Sequence, residues 1–356
     1  MHSEYNLKLT LRLVFRLWSQ RDEEVMLDVA TCATAFRVLR MNGYDVSSEE
    51  LSHVAEASAF SNSVEGYMDD TETILELYKA SEVSLSGNEP ILEKVERALQ
   101  FPFYVTVDPL EQKKNIENFD VRASQILKAK NLVKRRTRKP HIFSEEVHYS
   151  NFVSFPAFPT VINGQFYTWI QYLSCLSTEA EWRRNKYVPT MEEYLANAVV
   201  GYGLGPITLM SLYFLGQCPW EDIIEGPEYS ELLRLSSLCG RLMNDSQTFE
   251  RECKDGKLNS VSLLVLERGG TMSVEAAKEA IWESIASYRR DLLRLFLGEG
   301  CLVPRPGREI PWRFYKTSHV FYCHADEYSS AKEMLAALSA AISEPLKVED
   351  SSPCLH

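Results

Sequence analysis

The sequence predicts an all-α fold, and three observations support this expectation. Apolar residues recur at helical spacing along several segments, for instance over residues 7–18 and 28–41. The second segment is followed by Asn42-Gly43, which is a typical helix stop. No segment alternates apolar and polar residues over a length that would favour a β-strand.

Two capping boxes predict where helices begin. Ser47 precedes Glu50 by three residues, and Thr190 precedes Glu193 by the same spacing. In such a box the hydroxyl accepts a hydrogen bond from the backbone N–H three residues on, and the glutamate accepts one from the backbone N–H of the capping residue. We therefore expect helices directly after Ser47 and Thr190.

Composition limits the possible classes of protein. A chain of 356 residues with 45% hydrophobic residues can form one large or two ordinary domains. Its formal net charge of -12 argues against nucleic acid as the main partner. The eight cysteines are scattered without a C-x-x-C pair, which favours reduced thiols. No apolar run approaches the ~20 residues of a membrane span, so none is expected.

The strongest candidate for chemistry is a stripe of oxygen-bearing side chains late in the chain. Asn244, Thr248 and Glu252 are spaced i, i+4, i+8 and so share one face of a helix. Such oxygens suit Mg²⁺, which completes its coordination with waters and substrate phosphates. Arg241, one turn earlier, can meet a phosphate with its planar guanidinium. The same spacing also fits an exposed polar helix face, and this alternative stays open.

A glycine- and proline-containing run interrupts an apolar segment at residues 201–206 (Gly-Tyr-Gly-Leu-Gly-Pro). It follows a predicted helix and lacks the G-x-G-x-x-G spacing, so it is not a dinucleotide-binding loop. Pro206 removes one backbone hydrogen bond and predicts a kink within a helix.

The only Asp-Asp pair in the chain, Asp69-Asp70, begins like an aspartate-rich metal motif, but Thr73 stands at its fifth position. We interpret Asp69 or Asp70 as the cap of a helix that starts at Thr71.

The surroundings of the stripe resemble the second metal-binding motif of plant class I terpene synthases, most closely the kaurene synthase-like diterpene synthases of cereals. Residues 239–243 (Cys-Gly-Arg-Leu-Met) precede the stripe and residues 256–262 (Gly-Lys-Leu-Asn-Ser-Val-Ser) follow it. Residues 27–48 are similar to a segment of the helical β domain of the same enzymes. The likeness resumes at Trp169 and runs nearly to the end of the chain.

This resemblance implies a terpene synthase helical fold in three parts. Residues 1–130 would be a remnant of the N-terminal (β) helical domain, a partial α-barrel. Residues 131–164, basic and rich in proline, read as an irregular linker in which Asn163-Gly164 could form a tight turn. Residues 165–356 would be the C-terminal part of the metal-binding (α) domain, an incomplete class I α-helical barrel.

The resemblance also implies chemistry. Mg²⁺, with Mn²⁺ as an alternative, would bind Asn244, Thr248 and Glu252, and Arg241 would contact the diphosphate of a prenyl substrate such as copalyl diphosphate. Ile207 and Thr208, beside the helix break, would touch the carbocation. The expected location is the plastid; residues 1–21 read as an amphipathic helix and not as a transit peptide, so the cytoplasm stays open.

One departure from the family keeps other functions open. No Asp-Asp-x-x-Asp, the first metal motif of the family, occurs in the sequence. Residues 133–164 occupy the interval in which that motif is expected, so we expect a shortened chain whose activity is uncertain. A non-catalytic helical protein that pairs with a full-length relative is the alternative. A weaker third hypothesis is an anion-binding surface formed by the basic residues 128–139.

Overall fold

The computed structural model describes residues 2–26, 29–47, 158–215, 220–298 and 301–322, most of 76–84, and residues 332, 335 and 339. Within these ranges every regular element is an α-helix, which confirms the predicted all-α class. The expected helices after Ser47 and Thr71, the Asp69-Asp70 pair and the basic run 128–139 lie outside the described residues, wholly or for the most part.

The chain divides into two compact units, and the first comprises Met1–Ser144 with Ser339–His356. Its described helices are α1 (His2–Ser19), α2 (Glu23–Met26) and α3 (Val29–Met41). Trp18 of α1 packs with Phe36 and Leu39 of α3 in its core. As predicted, α3 is closed by Asn42 and Gly43, and Gly43 takes the left-handed conformation with φ of 83°.

The second unit, Glu145–Leu338, contains the predicted stripe. Its helices in chain order are α4 (Phe158–Asn185), α5 (Met191–Gly201), α6 (Leu204–Phe214), α7 (Trp220–Ile224), α8 (Pro227–Lys254), α9 (Ser260–Glu267), α10 (Val274–Leu297) and α11 (Arg305–Tyr322). Helix α8 packs most extensively on α10 and α11 and also contacts α5 and α9. Its 28 residues extend about 42 Å.

The middle of α8 is buried on every side. All residues from 235 to 243 are buried, including the small residues Ser236, Ser237 and Gly240. A helix that is buried all round lies inside its domain, surrounded by other helices. The polar side chains that follow on α8 therefore come directly after a part of the helix that is buried inside the second unit.

The helix break near residue 206 lies earlier than Pro206 predicts. Helix α5 ends at Gly201, Gly203 has φ of 80°, and α6 starts at Leu204. Pro206 is the third residue of α6, where its missing N–H costs no helical hydrogen bond. The left-handed glycine therefore makes the break, and the proline starts the new helix.

Tyr202, at this break, fixes the position of α8. A Cβ added to Gly240 of α8 would lie 2.5 Å from the Tyr202 hydroxyl oxygen and closer still to its ring carbons. The same hydroxyl makes a 2.9 Å hydrogen bond with Ser318 of α11, and the ring meets Phe314 edge-on. Because Gly240 has no side chain, Tyr202 at the end of α5 can pack directly against α8.

Helix α4 begins within the predicted linker 131–164. It starts at Phe158, so Asn163-Gly164 lies inside a helix and does not form a turn. Pro159 occupies the second position of α4, where its ring is tolerated.

Among the described residues, one stretch, Met191–Leu212, is long and apolar enough to cross a membrane. It is broken at Gly203, and Ala198, Leu204 and Leu212 within it are buried in the core of the second unit. Because Gly203 divides the stretch into α5 and α6, each of 11 residues, it does not form one continuous helix.

Candidate metal and diphosphate site

Helix α8 places the three predicted metal ligands on one face, because it continues without a break to Lys254. Asn244 is half-buried, whereas Thr248 and Glu252 are buried. The Thr248 hydroxyl donates to the Asn244 carbonyl oxygen at 2.9 Å, which leaves its lone pairs as acceptors. The stripe is therefore not the exposed polar face that the alternative interpretation requires.

Glu252 is an ionised carboxylate that already has two partners. Lys257 donates from Nζ to Oε1 at 2.8 Å, and Asn259 donates from Nδ2 to Oε2 at 3.0 Å. Burial alone would raise the pKa of Glu252, but the hydrogen bond and charge of Lys257, together with the Asn259 hydrogen bond and the Arg241 charge, hold the pKa below its usual value. At neutral pH the Glu252 carboxylate therefore carries a full negative charge.

Arg241 is buried and held by three side chains. Its Nε donates to Oδ1 of Asp245 at 2.9 Å and to the Tyr194 hydroxyl at 3.0 Å, and its Nη2 lies 3.0 Å from Oε1 of Glu179. Burial alone would lower the pKa of Arg241, but Tyr194, Asp245 and Glu179 together raise it well above its usual value. The guanidinium is permanently charged and fixed in direction.

Asp245 organises this cluster, although the spacing argument did not select it. It is fully buried, and its Oδ2 accepts from the Tyr194 hydroxyl at 2.6 Å and from the Ser260 backbone N–H at 3.0 Å. These bonds join α5, α8 and α9. Its place four residues after Arg241 is the local signal that predicts such a pair.

Two buried atoms of the cluster lack hydrogen bonds among the described residues. Oε1 of Glu179 and Nη2 of Arg241 stand at ion-pair distance, but neither has a hydrogen-bond partner. The charge attraction between these two atoms at 3.0 Å offsets part of the cost of burying them. Nη2 can still donate to an anionic ligand, so the guanidinium fits a diphosphate oxygen.

The donor set also fits a hard divalent cation. It offers one carboxylate, one amide and one hydroxyl oxygen along a single helix face. No group of three or more His, Cys, Asp or Glu side chains in the described ranges is placed to hold a metal ion. A cation at the stripe would therefore depend on the neutral oxygens of Asn244 and Thr248 as well as on Glu252.

A cavity of about 220 Å³ lies beside the cluster. Glu179, Tyr194 and Lys257 belong to both the cluster and the cavity lining. The rest of the lining is aromatic, aliphatic or basic and includes Trp182, Arg183, Lys186, Tyr187, Val188, Pro189 and Leu258. Arg241 and the three predicted metal ligands do not line it, so the cavity borders the cluster through Glu179, Tyr194 and Lys257.

Ile207 and Thr208 lie elsewhere in the second unit. Ile207 is 46% exposed, whereas Thr208 is fully buried and donates to the carbonyl oxygens of Leu204 and Gly205. Thr208 lies by Tyr229, whose pKa is raised to about 12 by burial, although the Thr208 hydroxyl lowers it.

The structure thus separates the two halves of the predicted site. Tyr229 precedes Arg241 by twelve residues on α8, which corresponds to about 18 Å along the helix axis. Arg241 is brought together with Glu252, whose pKa it helps to lower, whereas the Thr208 hydroxyl bonds to its own helix.

The fold is that of the plant terpene synthases. The chain is similar to the crystal structure of isoprene synthase from grey poplar leaves, with a TM-score of 0.66 and 20% identity over 94% of this chain and 86% of that one. This likeness establishes the helical architecture alone.

The sequence comparisons identify the family. The profile described as "Terpene synthase family 2, C-terminal metal binding" matches residues 157–291, and the profile of the terpene synthase N-terminal domain matches residues 1–101. The chain belongs to the terpene synthase family. Its second unit thus contains a metal-binding domain, which supports the expected use of a divalent metal.

The relatives include rice diterpene synthases. The chain is 43% identical to the chloroplastic 9-beta-pimara-7,15-diene synthase of Oryza sativa subsp. indica, over 97% of this chain and 58% of the relative. It is 37% identical to the chloroplastic ent-kaur-16-ene synthase of Oryza sativa subsp. japonica, over 98% of this chain and 64% of the relative. The chain thus spans about three fifths of the length of these relatives.

These alignments also contain an internal gap. They extend over 487 positions, although the chain has only 356 residues, so well over a hundred aligned positions have no counterpart in this chain. This agrees with the missing Asp-Asp-x-x-Asp motif.

Proposed function

We propose that this chain is a Mg²⁺-dependent class I diterpene synthase in which Asn244, Thr248 and Glu252 hold Mg²⁺ and Arg241 contacts the diphosphate. The observation that carries the proposal is the buried Glu252, which shares one helix face with two oxygen side chains and lies close enough to the Arg241 guanidinium for this charge to lower its pKa. Mn²⁺, which also accepts oxygen ligands, is the alternative metal.

The protein side of the reaction follows from these contacts. Glu252 supplies the negative charge of the metal site, and Asn244 and Thr248 supply neutral oxygens. Asp245 and Tyr194 fix the guanidinium so that its Nη2 donates to a diphosphate oxygen. Mg²⁺ held by these three side chains would offset part of the diphosphate charge and so make the diphosphate a better leaving group.

We propose copalyl diphosphate as the substrate and a pimaradiene- or kaurene-type hydrocarbon as the product. The rice relatives named for such products support this choice. The hydrocarbon would extend from the Arg241 cluster towards Ile207 and Thr208, as the family resemblance implies. A plastid location is supported by the chloroplastic relatives.

The experiment is product analysis. The purified chain is incubated with Mg²⁺ and ent- or syn-copalyl diphosphate, and hydrocarbons are detected by gas chromatography–mass spectrometry. We expect a diterpene that is lost on chelation of the metal and in the Asn244→Ala variant. If the wild-type chain forms no hydrocarbon from either isomer, the proposed activity is wrong.

A second candidate, a non-catalytic member of the family, is favoured by one specific observation. Four apolar side chains of α4 form an exposed stripe: Trp169, Ile170, Leu173 and Leu176. The chain also lacks well over a hundred positions that its relatives have. A full-length relative could cover this stripe. Co-purification with such a relative, unchanged by Asn244→Ala, is the expected result; no co-purification would exclude this function.

A further inference from the structure

Lys257 follows α8 and is turned back onto the metal stripe. Helix α8 ends at Lys254, and Gly256 takes the left-handed conformation with φ of 66°. The backbone N–H of Lys257 then donates to the carbonyl oxygen of Glu252 at 2.8 Å. This turn brings the ammonium group to the carboxylate one turn back along the helix.

The ammonium group lies between two carboxylates. Its Nζ is 2.8 Å from Oε1 of Glu252 and 3.7 Å from Oε2 of Glu179. Asn259 occupies the other oxygen of Glu252. A divalent cation that binds Glu252 through Oε1 must therefore displace Lys257, because both would claim the same oxygen and their charges repel each other.

Lys257 is free to leave, whereas Arg241 is not. The side chain of Lys257 is 36% exposed. Arg241, which is only 7% exposed, is held by Asp245 and Tyr194. Lysine is also a compact charge on a flexible stem, in contrast to the planar guanidinium.

We propose that Lys257 is a resident counter-ion of the metal site that exchanges its partner when the site is filled. It holds Glu252 while no divalent cation is bound. When the cation takes Oε1, the released ammonium group turns to the diphosphate. This inference rests on the proposed function, since it takes Glu252 as a metal ligand.

The exchange predicts opposite effects on two affinities. Lys257→Met removes the competitor, so Mn²⁺ alone should bind about two- to fivefold more tightly, as expected for the loss of one partly exposed ion pair. Pyrophosphate in the presence of Mn²⁺ should bind about tenfold more weakly, because one charged donor is lost. General damage to the fold would weaken both.

The experiment uses the full chain with Mn²⁺ as the probe. Electron paramagnetic resonance measures free Mn²⁺, and calorimetry measures pyrophosphate binding, for the wild type, Lys257→Met and Lys257→Arg. Lys254→Met, an exposed lysine three residues earlier, is the control for the change in net charge. We expect Lys254→Met to bind Mn²⁺ and pyrophosphate as the wild type does. Lys257→Arg should keep both affinities close to those of the wild type. Lys257→Gln replaces the methionine variant if that variant does not fold.

The possible outcomes distinguish a failure of the Lys257 exchange from a failure of the proposed metal site. If the wild type binds Mn²⁺ and Lys257→Met binds it equally well or more weakly, the exchange is wrong and the proposed metal site stands. If Lys257→Met gains affinity for Mn²⁺ but binds pyrophosphate as the wild type does, the second half of the exchange is wrong. If no form binds Mn²⁺, even with pyrophosphate, both the exchange and the proposed function are overturned.

Discussion

The Tyr194 hydroxyl donates to Oδ2 of Asp245 at 2.6 Å, across 51 residues of sequence. Both side chains are buried, and Arg241 bonds to both. The direction of the guanidinium, and with it the anion-binding part of the site, therefore depends on a contact between α5 and α8.

Asp245→Asn should destabilise the chain strongly. It leaves the buried charge of Arg241 without its closest counter-charge, and breaking a buried pair in this way costs about 3–5 kcal/mol. Urea unfolding measures the effect. Glu250→Gln is the matched control, because its pair with Lys278 is largely exposed and should cost less than about 1 kcal/mol. Equal losses of unfolding free energy in Asp245→Asn and Glu250→Gln would contradict this prediction, because they would show that the Asp245–Arg241 pair is no more buried than the Glu250–Lys278 pair.

Gly240→Ala should destabilise the second unit, because its Cβ would overlap the ring of Tyr202. Overpacking of this kind costs about 1–3 kcal/mol. Gly205→Ala is the control: no atom lies within 4 Å of its Cβ, and alanine favours the helix at this position. Thermal unfolding of both variants tests the contact, which would be refuted if Gly240→Ala were as stable as Gly205→Ala.

Thr248→Ala should weaken Mn²⁺ binding about tenfold, whereas Thr248→Ser should retain most of it. The serine keeps the oxygen that we assign to the metal, and both variants remove the same buried methyl group. Mn²⁺ titration followed by electron paramagnetic resonance compares them. If serine and alanine weaken binding equally, the Thr248 hydroxyl is not a ligand.

The Glu231–Arg234 pair on α8 predicts a pH dependence. A hydrogen bond from Arg234 lowers the pKa of Glu231 below its usual value. A carboxylate with a depressed pKa stabilises the folded state above its unfolded pKa, and this contribution is lost as the pH falls through the folded pKa. Glu231→Gln should therefore cost about 0.2–1 kcal/mol at pH 7 and less below about pH 4.5. A cost that does not change with pH would contradict this.

Local patterns predicted much of the fold. The Thr190 hydroxyl accepts from the Glu193 N–H at 3.1 Å, and Glu193 accepts from the Thr190 N–H at 2.8 Å, as the capping box requires. The i, i+4, i+8 stripe does lie on one helix, as its spacing indicates. Both features depend on residues that are close in sequence, where helical geometry alone decides.

Contacts between distant helices could not be predicted in this way. Periodicity gave no sign that Tyr194 and Glu179 would meet Arg241, and tertiary packing decides these contacts. The structure places the break at Gly203 and not at Pro206, because a left-handed glycine interrupts a helix more directly than a proline in a first turn.

The most direct test of the proposed site is a calorimetric titration of pyrophosphate into the metal-free chain, with and without added Mg²⁺. We predict that heat of binding is observed only with Mg²⁺ and that Glu252→Gln and Asn244→Ala each abolish most of it. Pyrophosphate uptake that is independent of Mg²⁺, or that persists unchanged in both variants, would contradict the assignment of Asn244, Thr248 and Glu252 as the metal-binding stripe.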